Sequence, residues 1–92
     1  MRKYLVERYL PGATEGQLDE TGERLAAAAG RLAAEGVDVR YVGSTFVPQE
    51  ESCFCRFESA DREGVERACE QAGVRFARIV ETREFPLSKE ER

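Results

Sequence analysis

The sequence predicts an α+β fold whose elements follow one another as β-α-β-β-α-β, and three observations carry it. Two stretches have small and apolar residues at helical spacing, and each is closed by a glycine. Four further stretches are rich in apolar, β-branched and aromatic residues with period-two character, and Gly or Pro signals separate them from the helices. At 92 residues, 41% hydrophobic and 35% charged, the chain has the length of one domain and enough apolar surface for one thin core.

Lys3 to Leu10 reads as strand one, because Pro11-Gly12 is a turn that a strand does not continue through. Thr14 followed by Gln17 matches a capping box, so helix one begins there. Its apolar or small positions are Leu18, Thr21, Gly22, Leu25, Ala29 and Leu32, and the run Ala26 to Ala29 lets the helix lie close to a sheet. Gly36 is the expected closing residue. Val37 to Val47 and Cys53 to Phe57 form a hairpin around Pro48-Gln49-Glu50-Glu51, where Glu50 and Glu51 are expected in solvent. Ser59 or Asp61 caps helix two, whose stripe is Val65, Ala68, Cys69 and Ala72, ending at Gly73. Val74 to Phe85 is strand four, with Ala77 and Ile79 on one face and Phe76, Val80 and Thr82 on the other. Residues 1–86 form the domain, and the charged segment 87–92 is expected to fray as a flexible tail.

Two helices that each link strands in this order cover one face of a four-stranded antiparallel sheet, the split βαβ or ferredoxin-like arrangement. Strands one and three then lie at the centre and one face is open. Cys53, Cys55 and Phe57 belong on the helix-covered face, leaving Phe54 and Arg56 outward. Either alternate set of strand one contains a charge; we place Tyr4 and Val6 inward and Leu5, Glu7 and Tyr9 outward. On strand four, Phe76, Arg78, Val80 and Thr82 point outward. So apolar a face on a small domain marks an interface or a ligand groove. Glu7 is expected to pair with Arg56 and to meet Arg78 from the other side, since charges among aromatic rings must neutralise one another or bind something polar. Glu7, Tyr9, Phe54, Arg56 and Arg78 are therefore the candidate ligand-binding residues.

Composition narrows the function. Fourteen Lys and Arg against 18 Asp and Glu leave a net charge of −4 with the basic residues dispersed, which speaks against a nucleic-acid partner. Met1-Arg2-Lys3 runs into a short apolar stretch broken at Glu7 and Arg8, too short for a signal peptide or a bilayer span, so the expected location is the cytoplasm with no membrane partner. Three cysteines, an odd number in or beside regular elements, fit reduced thiols. Cys53 and Cys55 sit about 6.6–7 Å apart along one strand, too far for a disulfide. With Cys69 they would hold a soft metal only by converging, and core packing outweighs that reading. Histidine is absent, which removes the commonest general base and transition-metal ligand. Glu7 and Glu81 would serve as acid and base only if they met in a pocket, and pairing with arginines is the stronger reading for both. No catalytic residue, metal ligand or cofactor is assigned.

The opening Tyr4-Leu5-Val6-Glu7-Arg8, the Phe54-Cys55 strand, Ser59-Ala60-Asp61 and the Gly73-Val74 step into Ile79-Val80-Glu81 resemble a bacterial family of short ferredoxin-like proteins of unknown function, some described as nickel-binding or nickel-responsive. The resemblance spans roughly residues 3 to 85 and implies the dimeric α+β barrel group, in which two open sheets face each other. Nickel binding in that family rests on histidine-type ligands, so no ligand position transfers to this chain. The function expected is a non-catalytic homodimeric binding or stress-associated module for an unidentified small molecule. The alternative is a small cofactor-free enzyme of isomerase or monooxygenase type, resting on fold analogy.

Overall fold

The computed structural model describes residues 1–87. Its elements are β1 (Arg2–Tyr9), α1 (Glu15–Ala34), β2 (Val39–Val47), β3 (Ser52–Ser59), α2 (Arg62–Ala72) and β4 (Arg78–Thr82). The four strands form one antiparallel sheet in the order β2-β3-β1-β4, the ferredoxin-like layout, with β1 and β3 central.

Local chemistry sets the element ends. Thr14 Oγ1 accepts from the Gln17 N–H while the Gln17 side chain accepts from the Thr14 N–H, a complete capping box for α1. Of the two caps open for α2, Asp61 takes the role: its carboxylate accepts from the Gly64 N–H at 3.0 Å. Ser59 is instead the last residue of β3, fully buried, with Oγ 2.7 Å from the Asp61 carbonyl and 3.1 Å from the Asp38 carbonyl. Gly73, at φ 68°, closes α2 in the left-handed conformation.

The core lies between the sheet and the two helices. Tyr4, Val6, Cys53, Cys55, Phe57 and Ile79 face Leu25, Ala28, Leu32, Val65, Ala68 and Cys69, and Tyr41 packs on Phe57 with ring centroids 5.3 Å apart. Extents of 42 × 38 × 20 Å match one helix layer on one sheet, each about 10 Å thick.

Two expectations change. Strand four is shorter than Val74 to Phe85, because the chain after Gly73 is engaged otherwise. The Val74 N–H closes the helix on the Cys69 carbonyl, and the Arg75 carbonyl accepts from Arg8 Nε at 2.7 Å. Phe76 thus precedes β4 and is not one of its outward residues. Glu51 is half-buried rather than solvated: its carboxylate accepts from the Gly12 N–H at 3.0 Å and its carbonyl from the Leu10 N–H at 2.7 Å, tying the β2–β3 turn to the end of β1. Of the expected tail, Leu87 is exposed, and residues 88–92 lie outside the described residues. No helix among the described residues is long and apolar enough to cross a membrane.

Candidate functional site

Cross-strand partners share a face of a sheet, so the register fixes which side chains meet. Glu7 stands opposite Phe54 on β3 and Arg78 on β4; Leu5 stands opposite Arg56 and Val80; Tyr9 stands opposite Ser52. Cys53 and Cys55 on β3 and Val6 on β1 are buried beneath the helices, so this second set faces away from them. Glu7, Tyr9, Phe54, Arg56 and Arg78 consequently lie on one face, the one without helices.

The expected charge trio forms only in part. Arg78 Nε donates to Glu7 Oε1 at 2.5 Å, a pair whose side chains are 66% and 27% exposed, so it is worth at most about 1 kcal/mol. Arg56 does not join it. Its residue on β1 is Leu5, not Glu7, and its guanidinium turns the other way, onto β2, where Nη1 donates to Thr45 Oγ1 at 2.6 Å. A β-bulge between Tyr41 and Gly43 makes room for this turn. A Cβ at position 43 would lie 2.8 Å from Arg56 Nη2, and Gly43 has φ 151°, so glycine serves there both the backbone and the close approach. Period-two alternation assigns the face of Arg56 but not the β1–β3 register, which sets it opposite Leu5, nor the bulge in β2.

Glu7 and Glu81 do not meet. Glu81 stands opposite the inward Tyr4 and pairs at 4.0 Å with Arg2, so the two carboxylates belong to opposite faces, each with its own arginine.

At the Lys3 end of the open face lies a groove of about 470 Å³, lined by Lys3, Leu5, Val42, Arg56, Glu58 and Thr82 among others. Three of its charges are paired: Lys3 Nζ lies 2.9 Å from Glu84, which also lines it, and Glu58 lies 2.5 Å from Nη2 of Arg40 outside it. Arg56 has no carboxylate within ion-pair distance among the described residues. Val42, Gly43 and Thr45 were not singled out from the sequence. The glycine inside an otherwise β-branched and aromatic run was the available signal.

The inner face holds the three thiols. Cys53, Cys55 and Cys69 are free and buried. Burial pushes the Cys55 thiol up to about 11 and the Cys69 thiol up to about 12, with the nearby Arg8 charge opposing in both cases. Arg8, opposite Cys53, sends Nε to the Arg75 carbonyl, while its Nη1 is shut off from solvent without a hydrogen-bond partner among the described residues. The alternation Tyr4, Val6, Arg8 was the signal for its inward position. Among the described residues no three His, Cys, Asp or Glu side chains gather so as to hold a metal ion.

The fold and this surface define a small α+β protein with two helices on one sheet face and the other face bare. A family model described as "Nickel responsive protein SCO4226-like" matches residues 4–82, and the chain belongs to that family. It is similar to the crystal structure of SCO4226 from Streptomyces coelicolor A3(2), at 23% identity and a TM-score of 0.71, over 94% of this chain and 98% of the other. That likeness shows the fold. Among curated proteins none matches.

Proposed function

We propose that this chain is a non-catalytic binding or stress-associated module that works as a homodimer, with the bare sheet face as its working surface. The observation that carries the reading is the composition of that face. Leu5, Phe54 and Val80 share it with Tyr9 and Val42, which remain 64% and 48% exposed. Contiguous apolar surface of this kind marks an interface or a ligand groove. Packing two such faces together buries these residues and encloses Glu7, Tyr9, Phe54, Arg56 and Arg78 between the copies, where a small molecule is held. Cytoplasmic residence remains part of this proposal.

The nickel response in the family's description does not supply the ligand. Nickel takes imidazole and thiolate donors. This chain has no histidine, and Cys55 and Cys69 are held as protonated thiols. The donors do not fit a nickel centre. The same protonated thiols offer no nucleophile at neutral pH, which supports a binding role over an enzymatic one.

Light scattering at micromolar concentration tests the reading: the mass of two chains is expected, and the mass of one chain overturns the dimer.

A further inference from the structure

The groove at the Lys3 end of the bare face combines an apolar floor with one cation that is unpaired among the described residues. Leu5 and Val42 supply the floor. Lys3 and Glu58 are each spent in an ion pair, with Glu84 and Arg40 respectively. Arg56 alone among the groove's charged residues has no opposite charge within ion-pair distance among the described residues. Thr45 Oγ1 accepts from Nη1 at 2.6 Å, and the missing side chain at Gly43, where an added Cβ would lie 2.8 Å from Nη2, leaves the guanidinium its room. A guanidinium carries five N–H donors in a planar fork, and Thr45 is its only hydrogen-bond partner among the described residues. The remaining donors match the two oxygens of a carboxylate.

We propose that this groove binds a small molecule with an apolar body and a single carboxylate, the body on Leu5 and Val42 and the carboxylate on Arg56. The inference rests on the reading of the bare face as a binding surface and names the chemistry that surface selects. A volume of about 470 Å³ lies within the range of small-molecule clefts, about 300–1,000 Å³. One unpaired positive charge suits a monoanion. A dianion such as a phosphate monoester would keep one charge unmatched on a chain whose net charge is already −4. Thr45 acts as a positioning residue: its hydrogen bond orients the fork before the ligand arrives, in the room that Gly43 leaves, which reduces the side-chain entropy lost on binding.

The test is calorimetric titration of the full chain with octanoate, with octanamide as its uncharged counterpart, and light scattering on the same samples. Octanoate is expected to bind one per chain, and octanamide at least about tenfold more weakly, as the loss of one charge-assisted contact implies. Arg56→Gln is expected to weaken octanoate by about tenfold or more and to leave octanamide unchanged. Thr45→Val, which frees the guanidinium but keeps its charge, is expected to weaken octanoate by a smaller factor. Equal affinity for octanoate and octanamide, or octanoate binding unaffected by Arg56→Gln, overturns the proposal. A chain with dimeric mass that takes up no octanoate also overturns it and leaves the dimer standing. Octanoate binding by a chain of monomeric mass supports the groove and overturns the dimer.

Discussion

Cys69 is enclosed completely, and Cys55 is 1% exposed, yet neither takes part in a disulfide or a metal-holding cluster among the described residues. They act as small hydrophobes between the two layers, Cys55 from β3 and Cys69 from α2. Their chemistry still makes a prediction, because burial raises both thiols from an ordinary value of 9.0, to about 11 and about 12. Unfolded, the thiols ionise near pH 9; folded, they keep their protons. The folded state therefore binds more protons above pH 9, and stability falls as pH rises from about 9 towards 11–12. Tyr41, also raised by burial from 10.0, adds to the fall above pH 10. Urea unfolding across pH 8–11 is expected to show this decline, and Cys69→Ala to make it shallower. A variant that loses stability with the wild-type slope would show that the thiol is not protected by burial. Arg8 sits against the same cluster: its Nε donates to the Arg75 carbonyl, while Nη1 is sealed from solvent without a partner among the described residues, which has a cost.

Within the elements, the junction of β3 and α2 is the tightest local fit. Ser59 Oγ is fixed by two carbonyls, and a Cβ added at Gly64 would lie 2.6 Å from it and 3.5 Å from Val39 Cβ. Gly64→Ala is therefore expected to destabilise by about 1–3 kcal/mol through overpacking. Gly30 lies on the exposed side of α1 with nothing within 4 Å of an added Cβ. There the same substitution is expected to stabilise by about 0.5–1 kcal/mol, from helix propensity alone. Thermal or urea unfolding of the two variants checks the opposite signs, and equal signs would mean that α2 shifts to accept the methyl. Much at this scale was legible in the sequence. Thr14 with Gln17 marked the start of α1, Gly73 the end of α2, and the apolar alternation of β3 sorted its two faces. What escaped were features made by tertiary contact. The bulge before Gly43 is set by pairing with β3, the late start of β4 by Arg8 reaching the Arg75 carbonyl, and the anchoring of Glu51 by the neighbouring β1–α1 turn. No local propensity encodes the last two, and Gly43 is the one local sign of the first. The candidate site follows the same pattern: its five residues share the expected face, but the direction Arg56 takes depends on a bulge that period-two alternation does not show.

For the whole molecule, one helix layer on a four-stranded sheet leaves half of the sheet's area without a covering layer, and the family's description raises the question of nickel there. The bare face carries Glu7 and Glu58, but each is held by an arginine, Arg78 and Arg40, and neither has a second carboxylate beside it in a metal-holding group among the described residues. Imidazole is absent from the chain, and the thiols lie beneath the opposite face of the sheet. Nickel(II) added to reduced protein is therefore expected to give no stoichiometric transition of submicromolar affinity in a calorimetric titration. The raised values of Cys55 and Cys69, about 11 and about 12, add a proton-release cost to any thiolate coordination there. A tight transition at pH 7 would sink this account. Its pH dependence would then identify the donors, since release of about one proton per thiolate points to the cysteines, whereas binding without proton release points to carboxylates brought together by two copies of the chain.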